Sequence, residues 1–113
     1  MTHTAAHRGF AAVAAHHGMT WTPSSSPKFG ANALRVDGKI FAALTRDGRL
    51  LLKLPPARTA ELVAARRAQS FTSGGRVMRG WVTLAPQSAS DWIALSDEAR
   101  AFVAGEPRKP RRA

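Results

Sequence analysis

The chain has 113 residues, 44% of them hydrophobic and 21% charged, which suits one globular domain and excludes a disordered chain or two full domains. It contains no cysteine, so disulfides, thiolate-bound zinc, iron–sulfur clusters and cysteine nucleophiles are excluded. Seventeen Lys and Arg against seven Asp and Glu give a net charge of +10, and a surface of that sign attracts polyanions, nucleic acid above all.

The last nine residues, GEPRKPRRA, hold four bases and one acid, so residues 1–104 keep a net charge of +7. The basicity therefore belongs to the body as well as to the tail. The tail has no means of packing and is expected to be disordered. No apolar run approaches the ~18 residues of a membrane span, and no signal peptide is visible. The expectation is a soluble, cytoplasmic protein with a single domain over residues 1–104, a basic tail over 105–113 and no membrane partner.

In chain order, the first predicted element is an Ala-rich helix from about Ala5 to His17. Ala6, Phe10, Val13, Ala14 and His17 recur on one helical face, and Gly18 is a natural stop. The segment TWTPSSSPKFG that follows reads as an irregular connection. Three strand-like runs come next: Ala33 to Val36, Lys39 to Thr45 and Arg49 to Leu54. Asp37-Gly38 and Asp47-Gly48 separate them, and Asp-Gly between apolar runs signals a two-residue hairpin turn.

Two such turns would place Leu34, Val36, Phe41, Ala43, Leu50, Leu52 and Leu54 on the core face. Arg35, Ile40, Ala42, Leu44, Arg46, Arg49, Leu51 and Lys53 would take the other face. A three-residue turn at either site would shift the register by one.

Pro55-Pro56 ends the third strand and opens a helix to about Arg67, since proline suits the first helical turn. Its inward residues are Leu62 and Val63, with Arg58, Arg66 and Arg67 outside. Phe71 to Met78 is ambiguous, with Ser73-Gly74-Gly75 as a turn. GWVTLA over Gly80 to Ala85 reads as a strand. Ser88-Ala89-Ser90-Asp91 resembles a capping box before a last helix striped with Trp92, Leu95, Ala99, Phe102 and Val103, closed by Gly105. The order α-β-β-β-α-β(β)-α predicts an α+β fold, an antiparallel sheet with helices packed on one face.

The run VDGKIFAALTRDGRLLLKLPPARTAELVA, followed by RGWVTLA and a terminal helix, resembles the MmcQ/YjbR family over roughly residues 28–104. KFGANALRVDGKIFA also resembles the N-terminal domain of TfoX-type competence regulators. The resemblance implies a small α+β domain related to secretion chaperones and to the double-wing DNA-binding module, and it implies DNA binding by that fold analogy.

An enzyme needs a constellation of reactive groups, and the sequence offers little. His3 and His7 sit four apart, and His16 and His17 are adjacent and expected to diverge. No carboxylate falls within the first thirty-six residues to complete a metal site with them. The histidines read as solvent-facing, and no catalytic residue, metal or cofactor is expected. Asp97 and Glu98 are adjacent on a helix and point apart. Trp81 and Trp92 read as core, which leaves Trp21 as the best exposed stacking platform.

The expected nucleic-acid-binding residues are Arg35, Arg46, Arg49 and Lys53 on the sheet face away from the core, with Arg76 and Arg79 flanking the later hairpin. Two basic hairpins would straddle double-stranded DNA through phosphate contacts, with little sequence preference. The alternative is a protein-interaction module. In that reading Ile40, Leu44 and Leu51 form an apolar patch for a protein partner or a second copy of the chain.

Overall fold

The computed structural model describes residues 4–22, 32–85 and 89–105. The serine-proline segment, His3, Ser88 of the expected capping box and the basic tail lie outside these residues. The elements are α1 (Thr4–His16), β1 (Ala33–Val36), β2 (Lys39–Leu44), β3 (Leu50–Lys53), α2 (Pro56–Ala64), β4 (Gln69–Ser73), β5 (Arg76–Leu84) and α3 (Ala89–Gly105). The strands form one antiparallel sheet in the order β1-β2-β3-β5-β4. The fold is α+β, as expected. The ambiguous stretch resolves into β4 and a β5 that begins four residues before Gly80.

All three helices bury their apolar stripes in one cluster with one face of the sheet. On α1 these residues are Ala6, Phe10, Val13 and Ala14. The helix ends at Gly18, whose φ is +70°. There the Met19 N–H reaches the Ala14 carbonyl at 2.8 Å and the Gly18 N–H reaches that of Ala15 at 2.9 Å, which satisfies two orphaned carbonyls. On α3 the stripe is Trp92, Leu95, Ala99 and Val103. The Trp92 indole N–H donates to the Ala85 carbonyl at 2.9 Å, so the one polar atom of a fully buried ring is satisfied. Gly9 lets α1 approach this ring: a Cβ there would meet it at 3.0 Å.

The sheet departs from the expected register in two places. Asp37 and Gly38 form the expected two-residue turn, with φ of +53° and +78°, and Val36 faces Lys39. Between Arg35 and Leu34 the pairing then slips by one, because Phe41 is an extra residue in β2. A bulge of this kind turns two successive side chains toward one face, and both Phe41 and Ala42 are in the core. Beyond the bulge the faces exchange, so Leu44 packs toward the helices while Ala43 lies on the other side.

The second turn has three residues. The Thr45 N–H bonds to the Arg49 carbonyl, Gly48 has φ of +80°, and Ala43 pairs with Leu51. The expected apolar patch on the outer face is therefore absent. Leu44 has moved to the helix side, and Leu51 is only 2% exposed. No described helix is long and apolar enough to cross a membrane.

Candidate nucleic-acid interface

The outer face of the sheet is built around one cross-strand row, Ala33–Ala43–Leu51–Thr83–Gln69, each residue in register with the next. Ala43, Leu51 and Thr83 are buried yet small or medium in size, so longer side chains beside the row dominate what the face presents. Arg49 lies against the row. Its Nε donates to Thr83 Oγ1 at 3.0 Å, and Nη2 to the Thr83 carbonyl at 3.5 Å. That anchoring leaves the guanidinium half-buried and fixes its direction.

Contrary to expectation, Trp81 is not core: half-buried and outside the core cluster, it pairs with Lys53 of β3, whose ammonium lies 5.8 Å from the ring centroid, a cation–π distance. Arg35, paired with Ile40, is exposed. Strand spacing places Arg35 and Lys53 about 10 Å apart across two strand gaps. Arg46 is exposed in the three-residue turn. The sheet thus brings Arg35, Arg46, Arg49 and Lys53 into one field.

Arg76 and Arg79 lie at the far end of β5 from the 46–48 turn, Arg79 two residues from the Trp81 that faces Lys53. The 46–48 turn adjoins Leu84, because Leu44, Leu50 and Leu84 are in register, whereas Gly74-Gly75 caps the far end of β5 at Arg76. At ~3.3 Å per residue the nine residues of β5 separate those ends by roughly 26 Å. The two basic hairpins point in opposite directions along the sheet and do not form paired wings. Arg79 lines a groove against α2.

Charge is sorted by layer. The five strands contain Arg35, Lys39, Lys53, Arg76 and Arg79 and no acid. Every described acid outside the turns lies on a helix and has a partner. Glu61 and Glu98 hold Arg58 at 3.0 and 2.8 Å, Asp91 meets Arg67 at 3.6 Å, and Asp97 meets His16 at 2.9 Å. Asp97 and Glu98 diverge as expected. Among the described residues Arg35, Arg46, Arg76 and Arg79 make no ion pair.

His17 corrects the expectation of a solvent-facing set, whereas His16 is exposed as expected. His16 and His17 converge on Asp97 of α3, and the His17 side chain is 3% exposed. Arg100 Nη1 lies 3.2 Å from His17 Nδ1. A guanidinium only donates, so Nδ1 carries the lone pair and Nε2–H donates to Ser96 Oγ at 2.9 Å. The Ser96 hydroxyl in turn donates to the Ile93 carbonyl at 2.7 Å. Burial, with Arg100 and His16 assisting and Asp97 opposing, lowers the His17 pKa below 6.5.

This arrangement suits neither chemistry that its residue types suggest. A metal at Nε2 would need the lone pair on that nitrogen, and an activated serine would give its proton to the histidine. Both requirements reverse the hydrogen bonds present. The signal for the cluster was the α1 stripe, which aligns His17 with Ala6, Phe10, Val13 and Ala14; what pattern could not show was the roughly 80-residue return of α3 to meet it.

Trp21 is likewise no free platform. Its ring packs edge-on against Phe10 at 4.7 Å, and its indole N–H donates to Asn32 Oδ1 at 3.1 Å.

The family model described as Luciferase domain matches residues 38–98. That family groups with the YjbR/MmcQ-like proteins. No curated protein and no solved structure matches the chain.

Proposed function

The chain belongs to the luciferase domain family, and from its own geometry we propose that it is a nucleic-acid-binding domain that engages duplex DNA through phosphate contacts. The observation that carries this reading is the sorting of charge: the described acids are confined to helices and turns and are partnered on the helices, while the strands are basic and acid-free. Arg35, Arg46, Arg49 and Lys53 present the contact face, and Arg76 extends it at the hairpin tip. Lysine and arginine at this spacing neutralise backbone charge without reading base edges, so sequence preference is small.

The role is binding and not catalysis. Support comes from the His17–Ser96 cluster, whose donors and acceptors are already committed. We also propose that the chain is an MmcQ/YjbR-type member with TfoX-like features, on the strength of its GKIFA and DGRLLLKLPP stretches.

The test is fluorescence-anisotropy titration of mixed-sequence duplex DNA across a salt series. Three full-length proteins are compared: the native chain, a tail variant with Arg108, Lys109, Arg111 and Arg112 changed to Ser, and a face variant with Arg35, Arg46 and Lys53 changed to Gln. Each phosphate contact contributes about 0.9 to the slope of log K against log salt. The tail variant is expected to keep binding. The face variant should bind more weakly, with a slope smaller by roughly 3. Loss of all binding in the tail variant, with no change in the face variant, overturns the reading.

A further inference from the structure

The pairing of β4 with β5 breaks midway. Thr72 faces Val77, but Ser70 faces Val82, so β5 carries three more residues than β4 across the break and bows outward. Gly80 lies in the bow with φ of +85°. Its carbonyl accepts the Leu54 N–H at 2.8 Å, and a Cβ there would meet the Leu54 carbonyl oxygen at 3.3 Å. The backbone at this point is held to β3, and the strand beyond it swings toward α2.

Between the bow and α2 runs a groove of about 460 Å³, within the usual size range of small-molecule sites. Its walls are Ala60 and Val63 of α2 and Val77, Met78, Trp81 and Val82 of β5. Val77 and Met78, at 61% and 37% exposed, are the large hydrophobic side chains most open to solvent among the described residues, and both stand on this one wall. Exposed apolar side chains gathered on a concave surface mark a site more than scattered ones do. The polar lining is sparse. The Thr59 hydroxyl is spent on the Pro56 carbonyl at 2.7 Å. Arg79 is the one charged residue of the lining, and it makes no ion pair among the described residues.

We propose that this groove binds an amphipathic monocarboxylate, its apolar body laid between α2 and β5 and its carboxylate on the Arg79 guanidinium. The charge complementarity is one-sided, since the lining holds no acid, and a guanidinium pairs with a carboxylate through two parallel hydrogen bonds. The groove adjoins the outer-face field, since Trp81 of its wall also faces Lys53, but its charge contact, Arg79, is not one of the residues that carry the nucleic-acid reading.

The experiment titrates the full chain with octanoate and with octanamide, which differ in charge and hardly in shape, by calorimetry and by amide chemical shifts. Octanoate should bind at one site at least tenfold more tightly than octanamide, with shifts concentrated at Ala60, Val63 and Val77 to Val82. Arg79→Gln, at an exposed position, should erase the preference and leave octanamide binding in place. Arg46→Gln, at the opposite end of the sheet, should keep it, which separates the groove from the general attraction of a +10 chain. The proposal is overturned if octanoate fails to saturate, if the two probes bind equally, or if Arg46→Gln and Arg79→Gln act alike.

Discussion

The two sides of the sheet solve different problems with the same kind of strand. On the helix side, Leu50, Leu52, Leu54, Val82 and Leu84 are at most 1% exposed and lock against Phe10, Leu62, Trp92 and Leu95. The charges on that side are balanced and local, with Arg58 bridging Glu61 and Glu98. On the outer side, the row from Ala33 to Gln69 offers small or medium side chains, and cations rise around it without acids among the strands. The difference teaches where each property resides. Stability comes from the helix side, and the electrostatic field comes from the outer side. A substitution on one side should leave the other's property intact.

The largest effect expected from breaking this division is Trp92→Ala. The ring is 1% exposed and donates to Ala85, and its loss leaves a cavity beneath α1 and an unpaired carbonyl. A cost of about 3–5 kcal/mol is expected, a large share of the stability of a domain this size. Chemical denaturation measures it. Below the lowered unfolding transition, the slope of DNA binding against salt should match that of the native chain. A changed slope would mean that the two sides are not separable.

A smaller effect sharpens the comparison within the helix side. α2 ends as α1 does: the Arg67 N–H reaches the Leu62 carbonyl at 2.9 Å and the Arg66 N–H reaches that of Val63 at 3.0 Å. Yet the residue in the left-handed position is Arg66, with φ of +62°, where α1 uses Gly18. A side chain in that conformation costs of order 1 kcal/mol relative to glycine. Arg66→Gly should therefore raise stability by about 1 kcal/mol, visible as a later urea midpoint with an unchanged denaturant slope. An unchanged or earlier midpoint would mean that the Arg66 side chain compensates for its backbone.

The two Asp-Gly dipeptides show how far the sequence could be read, and where reading stopped. Both were legible as hairpins, and the strand order β1-β2-β3 followed from them. Asp37-Gly38 makes the two-residue turn. Asp47-Gly48 makes a three-residue turn, because Thr45 Oγ1 accepts the Arg49 N–H at 2.9 Å and closes the loop one residue earlier. That choice rests on a neighbouring hydroxyl and not on the dipeptide. The bulge at Phe41 was hidden for a related reason: Phe41 and Ala42 are both apolar and fit either side of an alternating pattern. The two slips bring Ala42 and Leu44 to the helix side and Ala43 to the outer side but leave Arg35, Arg49 and Lys53 on the outer side, so the cationic face does not depend on the register. The groove beside α2 was not legible, since it depends on three extra residues in β5 that no local pattern marks.

The smallest effect expected appears only in acid and tests how tightly α1 is tied to α3. His17 is buried beside Arg100 and His16, with only Asp97 offering opposite charge, and its pKa lies below the unfolded value of 6.5. Above pH 6.5 both folded and unfolded chains hold it neutral, and its contribution to stability is fully present. As the pH falls below 6.5 the unfolded chain takes up a proton that the folded chain resists, so stability declines until the pH has passed the folded pKa. Urea midpoints on either side of pH 6.5 should fall more steeply for the native chain than for His17→Gln, whose amide can still donate to Ser96. Protonation would also place a donor at Nδ1 against the donor of Arg100, so the charged form loses a hydrogen bond as well as solvation. Equal slopes for the two proteins would show that the contact between α1 and α3 opens freely enough to hydrate the imidazole, and α1 would then belong to the mobile margin of the fold and not to its core.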